Sequence, residues 1–280
     1  MAKSAIKSVG LIGLGKMGLP MARHLAAKGF RVTGFDVDRK AVAKARKLGA
    51  KIAASPAAVA AASDLVIVIV GFDSEVDTAL FGTQGVMDGA RPGLIVAIAS
   101  TISPSLMRDL PRRAKRVKKS VRFVDAPLCR GEPAAEAGQL LLLGGGAKAD
   151  FQTCRPAFAA FANSIHYLGG LGAGQVGKMV NNLILWACIS ANDEGLKLAG
   201  ALGVESEPLR QALLQSSARN WALEMHLADL PMPWAEKDMS LVLHEADDAR
   251  LSLPLCGVIK EVIKGIKIER RQPYPRARRD

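Results

Sequence analysis

The stretch GLIGLGKMG, residues 10–18, runs from an apolar segment straight into a glycine-rich turn. Gly13, Gly15 and Gly18 stand at G-x-G-x-x-G spacing, directly after the β-rich SVGLIGL and directly before MGLPMARHLAAKG, whose apolar spacing is helical. This context predicts a strand, turn and helix that cradle a pyrophosphate. The first glycine permits the tight turn, the second lets phosphates approach the backbone, and the third lets helix and strand pack closely, with the anion at the positive helix N-terminus. Leu14, Lys16 and Met17, set between the glycines, belong to the same dinucleotide-binding loop.

The next β-rich run, RVTGFDV, brings Asp36 to the position where a carboxylate accepts hydrogen bonds from the adenosine ribose hydroxyls. A negative charge there repels a 2′-phosphate, so NAD is expected over NADP. Arg39 is close enough in sequence to soften that preference, and Asp36 has the alternative role of capping the following helix.

Further along, LVIVIVG, LIVAIAS, RFVDAPL and QLLLLGG alternate with the helical DRKAVAKARKLG, DSEVDTALFG and SPSLMRDLPRRAKRV. KADFQTCRPAFAAFA and SIHYLG complete the unit. The pattern is that of a parallel sheet covered on both faces, an α/β doubly wound Rossmann domain over residues 1–168. After GGLGAGQ the texture turns helical. Residues 169–280 are expected as an all-helical domain, with one long helix at about 174–201 between the two domains and shorter helices bounded by Pro208, Pro231, Pro233 and Pro254.

With 280 residues, 49% of them hydrophobic, the chain can bury a sizeable core. Its longest apolar runs, residues 65–70 and 183–189, are far shorter than a membrane span, and the N-terminal segment has no apolar stretch fit for a secretory signal. Cys129, Cys154, Cys188 and Cys256 form no CxxC pair and no metal-ligand spacing with the histidines, which fits a reducing cytoplasm. The net charge of +12 is concentrated in residues 112–122 and in the tail 269–280. The first reads as the solvated face of a helix; it lacks the aromatic residues that stack on bases, so nucleic acid is not an expected partner. The tail reads as disordered or loosely docked.

Hydride transfer needs a group that exchanges a proton with the substrate oxygen. Neither Tyr167 nor Tyr274 has a lysine four residues on, and His24, His166, His226 and His244 sit in helical or surface-like contexts. Lys178 differs: it stands near the start of the long helix in an apolar setting, with Asn182 one turn later on the same face. Burial and nearby positive charge would lower a lysine pKa there towards a useful range. The alternative is a surface lysine beside an asparagine that packs helices.

Five blocks, GLGKMGLPMA at 13–22, STISP at 100–104, DAPLCRG with AEAGQL at 125–140, GAGQVGKMVNN at 172–182 and KDMSLVL with LPL near 237–255, follow one another in the order of the β-hydroxyacid dehydrogenases, and the chain resembles that family over about residues 8–257. The resemblance implies a cofactor domain, a helical domain, a substrate cleft between them and a homodimer or homotetramer. It implies that Lys178 is the general acid/base and that Asn182 holds substrate and lysine in register. It also puts Thr101 by the nicotinamide, Gly71 and Phe72 beside the cofactor, and Lys237 close to cofactor or substrate.

Against the family's usual D-A-P-V-S-G-G, this chain has Cys129 for the serine and Arg130 for the first glycine, keeping only Gly131. The family's serine hydroxyl and glycine amides would hold a substrate carboxylate. A thiol donates more weakly, so Arg130 is expected either to grip a carboxylate or to meet a second acidic group on a larger substrate, the alternative being that it points to solvent or pairs with Glu132. Ile98 stands where the family often has an aspartate, and LPMPW where it has an aromatic residue ahead of the Lys-Asp pair. The function expected is NAD(P)-dependent interconversion of a small, anionic 3-hydroxy acid and its semialdehyde. The alternatives are an imine reductase on the same scaffold and a nucleic-acid-binding module without catalysis.

Overall fold

The computed structural model describes residues 6–225 and 232–277. Strand β1 (Ser8–Ile12) and the four-residue strands β4 (Leu65–Val68) and β5 (Ile95–Ile98) are buried along their whole length, as continuous apolar runs are when a sheet is covered on both faces. With β2 (Arg31–Phe35), β3 (Lys51–Ile52) and β6 (Arg122–Asp125) they form the parallel part of the sheet, in the order β3-β2-β1-β4-β5-β6. Alternate strand residues feed two cores. Leu65 and Ile67 pack with Leu25 of α1 (Gly18–Ala27) and Phe151 of α8 (Lys148–Phe158), while Val66 and Val68 pack with Val76 of α4 (Asp73–Phe81) and Met107 of α6 (Pro104–Arg116).

The register brings Ile12, Phe35, Val68, Ile98 and Asp125 into one row at the carboxyl edge. Chain order reverses between β1 and β4, so the crevice beyond that row is the topological switch point at which such sheets bind ligands.

RFVDAPL, expected as one strand, divides into β6 and β7 (Leu128–Cys129), with Pro127, which has no N–H to give a ladder, at the break. Strand β8 (Leu140–Gly146) runs antiparallel to both and pairs in parallel with β9 (Ala162–Gly169), so the sheet is mixed rather than wholly parallel.

Helix α9 (Ala173–Ala201) starts where small residues follow β9 and ends ahead of Gly203, whose φ of +79° stops it. Beyond β9 no further strand occurs among the described residues. Helix α10 (Ser206–Leu213) follows, and α11 (Trp221–Glu224), α12 (Ala235–Asp248) and α13 (Pro254–Glu269) gather with α9 around Trp186, Ile189, Met239, Val242, Ile259 and Ile263. Pro254 opens α13 as expected, Pro208 lies in the first turn of α10, where its missing N–H costs nothing, and Pro231 lies outside the described residues. Contacts separate the chain into two compact units that meet within α9, between Lys178 and Met179.

Candidate active site

The three glycines of the first turn have different tasks. Gly13 has φ +101°, and a Cβ there would fall 2.0 Å from the carbonyl oxygen of Ile69; a Cβ on Gly18 would fall 1.9 Å from the carbonyl oxygen of Gly13. Both therefore exist to let β1, β4 and α1 close up. Around Gly15 nothing lies within 4 Å, so this exposed glycine leaves the space in front of the helix N-terminus open.

Asp36 is tied into the loop. Its Oδ2 accepts the Leu14 N–H at 2.6 Å and its Oδ1 the Asp38 N–H at 2.7 Å. The helix-capping role belongs to Asp38, whose carboxylate accepts the Lys40 N–H at the start of α2 (Arg39–Lys47), so Asp36 is not that cap. Lys16 reaches Glu132 at 3.0 Å, across to α7 (Gly131–Ala137), while Met17 is the residue before α1.

Beyond β4, the Gly71 N–H donates to Glu75 Oε2 at 2.8 Å and Phe72 leads into α4. Beyond β5, Ser100 Oγ accepts the Val70 N–H at 2.8 Å, which binds these two loops together. Thr101 follows, and the residues on either side of it bond to Gln175 of α9: Gln175 Nε2 donates to Ser100 O at 2.9 Å, and Gln175 Oε1 accepts the Ile102 N–H at 3.2 Å.

Beyond β6, Asp125 is fully buried and its Oδ2 accepts the Gly174 N–H at 2.8 Å, satisfying one of the orphan amides at the start of α9. Gly174 has no Cβ because one would sit 2.6 Å from that of Asp125. Burial pushes the Asp125 carboxyl up to about 6, against the pull of the amides of Gly172, Gly174 and Gln175 and of the Arg108 charge. One turn into α9, the Lys178 Nζ comes to 3.9 Å from the Cys129 sulfur. Burial raises the pKa of that thiol, with the Lys178 and Arg130 charges acting the other way.

Arg130 and Gly131 both have left-handed backbone, φ +81° and +69°, which is the conformation glycine adopts without cost and arginine does not. The Arg130 Nη1 reaches over the start of β8, donating to Gln139 O at 3.0 Å and to Asn163 Oδ1 at 2.8 Å. Glu132 pairs with Lys16, so the pairing of Arg130 with Glu132 does not form.

In the helical unit, buried Asn182 donates from Nδ2 to Asp238 Oδ2 at 2.7 Å, and its Oδ1 accepts from Asn181 at 2.9 Å. Asp238 stands in the first turn of α12 beside Lys237. His24, His166 and His244 contact Glu136 O, Ser164 Oγ and Asp248 at the surface, and His226 lies outside the described residues. In the basic segment, Arg113 pairs with Asp77 and stacks over Phe81, and Arg122 pairs with Asp150 at 2.7 Å. Among the described residues no cluster of three or more metal-ligating side chains occurs, and no helix is long and apolar enough to cross a membrane.

Ser100, Asp125, Gln175 and Asp238 were inside recognisable motifs, yet carried no sequence signal of their own. Each acts through a partner at least 30 residues away, as in Val70 with Ser100 and Asn182 with Asp238.

The glycine turn with Gly15 open in front of α1, and Asp36 tied into the same loop at the carboxyl edge of the sheet, are the features of an NAD(P)-dependent oxidoreductase. Residues 8–169 match the family described as the NAD binding domain of 6-phosphogluconate dehydrogenase, and residues 172–272 match the one described as NAD-binding of NADP-dependent 3-hydroxyisobutyrate dehydrogenase. The chain belongs to the β-hydroxyacid dehydrogenase family. It is 30% identical to 2-(hydroxymethyl)glutarate dehydrogenase of Eubacterium barkeri, over 92% of this chain and 88% of that one. It is 34% identical to a probable mitochondrial 3-hydroxyisobutyrate dehydrogenase of Dictyostelium discoideum, over 81% and 70%. The solved structure of Mycobacterium tuberculosis 3-hydroxyisobutyrate dehydrogenase with L-serine superposes with a TM-score of 0.83 at 25% identity, covering 96% of each chain.

Proposed function

We propose that the enzyme interconverts a small 3-hydroxy acid and its semialdehyde, with Lys178 as general acid/base. The observation that carries this reading is the position of the Lys178 ammonium, on the first turns of a helix that buried side chains tie to the loops after β5 and β6. NAD(P), when bound, accepts or supplies the hydride. The open face of Gly15 and the amides at the start of α1 receive its pyrophosphate, and Asp36 favours NAD by repelling a 2′-phosphate.

During oxidation Lys178 Nζ, acting as the neutral amine, takes the proton of the substrate hydroxyl and becomes the ammonium; during reduction the ammonium returns it. Asn182, fixed by Asp238, orients the substrate beside it, and Lys237 adds positive charge. The turn at Cys129–Gly131 receives the substrate carboxylate through its backbone amides, with the Arg130 side chain holding the turn in its left-handed form. Exposed apolar residues along α9, Val176, Val180, Ile184 and Leu198, support a homo-oligomer. The four cysteines, none of them in a disulfide, support a reducing, cytoplasmic setting.

The test is steady-state turnover of 3-hydroxyisobutyrate, L-serine and 2-(hydroxymethyl)glutarate with NAD and with NADP, beside a cyclic imine with the reduced cofactors. Oxidation of at least one hydroxy acid with the imine inert is expected. Turnover of the imine alone would replace this reading with an imine reductase.

A further inference from the structure

The buried amide of Gln175 makes two hydrogen bonds of opposite sense, and no other side chain of its size and charge can make both. Ile102 offers an N–H, so it must face Oε1; Ser100 offers a carbonyl, so it must face Nε2. These two backbone groups flank Thr101. The clasp therefore holds the peptide units before and after Thr101, and it is fully buried. Ser100 extends the connection, since its hydroxyl accepts the Val70 N–H just ahead of Gly71 and Phe72. At the other end Gln175 is three residues before Lys178 on α9, so the two side chains lie almost one turn apart on a rigid rod.

We propose that Gln175 is a positioning residue for proton transfer. It sets the axial step and rotation of the first turns of α9 against the loop that carries Thr101, and so fixes where the Lys178 ammonium stands relative to the reacting carbon. Asp125 pins the same turn to the end of β6 through the Gly174 N–H; the two bonds of Gln175 tie it separately to the loop that carries Thr101. The inference rests on Lys178 being the acid/base.

The test compares wild type, Gln175→Met, Lys178→Ala and the double variant. Methionine fills the same volume and makes neither hydrogen bond. In the protein without cofactor, hydrogen exchange at the Ile102 amide is expected to quicken about 10-fold in Gln175→Met, which reads the clasp directly. With 3-hydroxyisobutyrate, or whichever of the three hydroxy acids turns over, kcat is expected to fall about 10- to 100-fold while dinucleotide Kd barely moves, and the two backbone groups left unpaired lower the thermal midpoint without abolishing folding. The double variant is expected to be no slower than Lys178→Ala, because misplacing an absent group costs nothing. Losses that multiply in the double variant, or a Gln175→Met enzyme within about 2-fold of wild type, would overturn the inference. A Lys178→Ala enzyme with wild-type turnover would remove the catalytic reading and this inference with it, and that single variant identifies the case.

Discussion

The Cys129 sulfur stands 3.9 Å from the Lys178 ammonium, a thiol facing a cation at the end of β7. Because burial raises its pKa, the thiol is neutral at physiological pH and adds no negative charge to the site. It is a weak donor as well, so the carboxylate of a substrate is left to the backbone amides of the turn.

Replacing Cys129 by serine restores a good donor with little change in volume. The expected outcome is a KM for hydroxy acid substrates lowered about 3- to 10-fold, corresponding to about 1 kcal/mol for one added hydrogen bond, with dinucleotide affinity unchanged. Steady-state kinetics of Cys129→Ser reads both quantities. A higher KM with intact cofactor binding would show that the turn does not meet the carboxylate.

Gly13 and Gly15 are expected to fail in different ways. Gly13→Ala puts a methyl group against the Ile69 carbonyl at a positive φ and is expected to cost about 3 kcal/mol or more in urea unfolding. The Cβ of Gly15→Val has no protein atom within 4 Å, so stability is expected to stay within about 0.5 kcal/mol while dinucleotide affinity falls at least about 100-fold. A Gly15→Val protein that binds the dinucleotide normally would remove the phosphate from this loop.

Asp125 gives the fold a pH dependence of definite sign. Its carboxyl is raised from 3.8 to about 6 in the folded chain, so folding favours the protonated form. The contribution is fully present below about pH 4 and is lost as pH rises through about 6, a change of up to about 3 kcal/mol. Asp125→Asn removes the titration while keeping an acceptor for the Gly174 N–H. Urea unfolding between pH 4 and 7.5 is expected to show the wild type losing stability relative to the variant as pH rises. A constant difference across that range would refute the assignment.

What the sequence made legible was what local spacing encodes. The apolar runs at residues 65–68 and 95–98 became buried strands, and the glycine turn became the helix entry. Two-residue β3 is too short to show a period, and the break at Pro127 is invisible until β8 arrives from the opposite direction. That Lys178 and Asn182 share one helix, a turn apart, was readable from their spacing. The Gln175 clasp was not, because its partners are more than 70 residues away and a glutamine beside small residues looks like any solvated helix position. Asp36 and Asp38 show the same limit at short range: two nearby carboxylates, one tying a loop and one capping a helix, separable only once the backbone N–H groups are placed.

The proton-transfer role of Lys178 is tested most directly by Lys178→Ala, with turnover of the accepted hydroxy acid and dinucleotide Kd measured together. The expected result is a fall in kcat of at least about 10³-fold with Kd within about 3-fold of wild type. Turnover within about 10-fold of wild type would contradict the account.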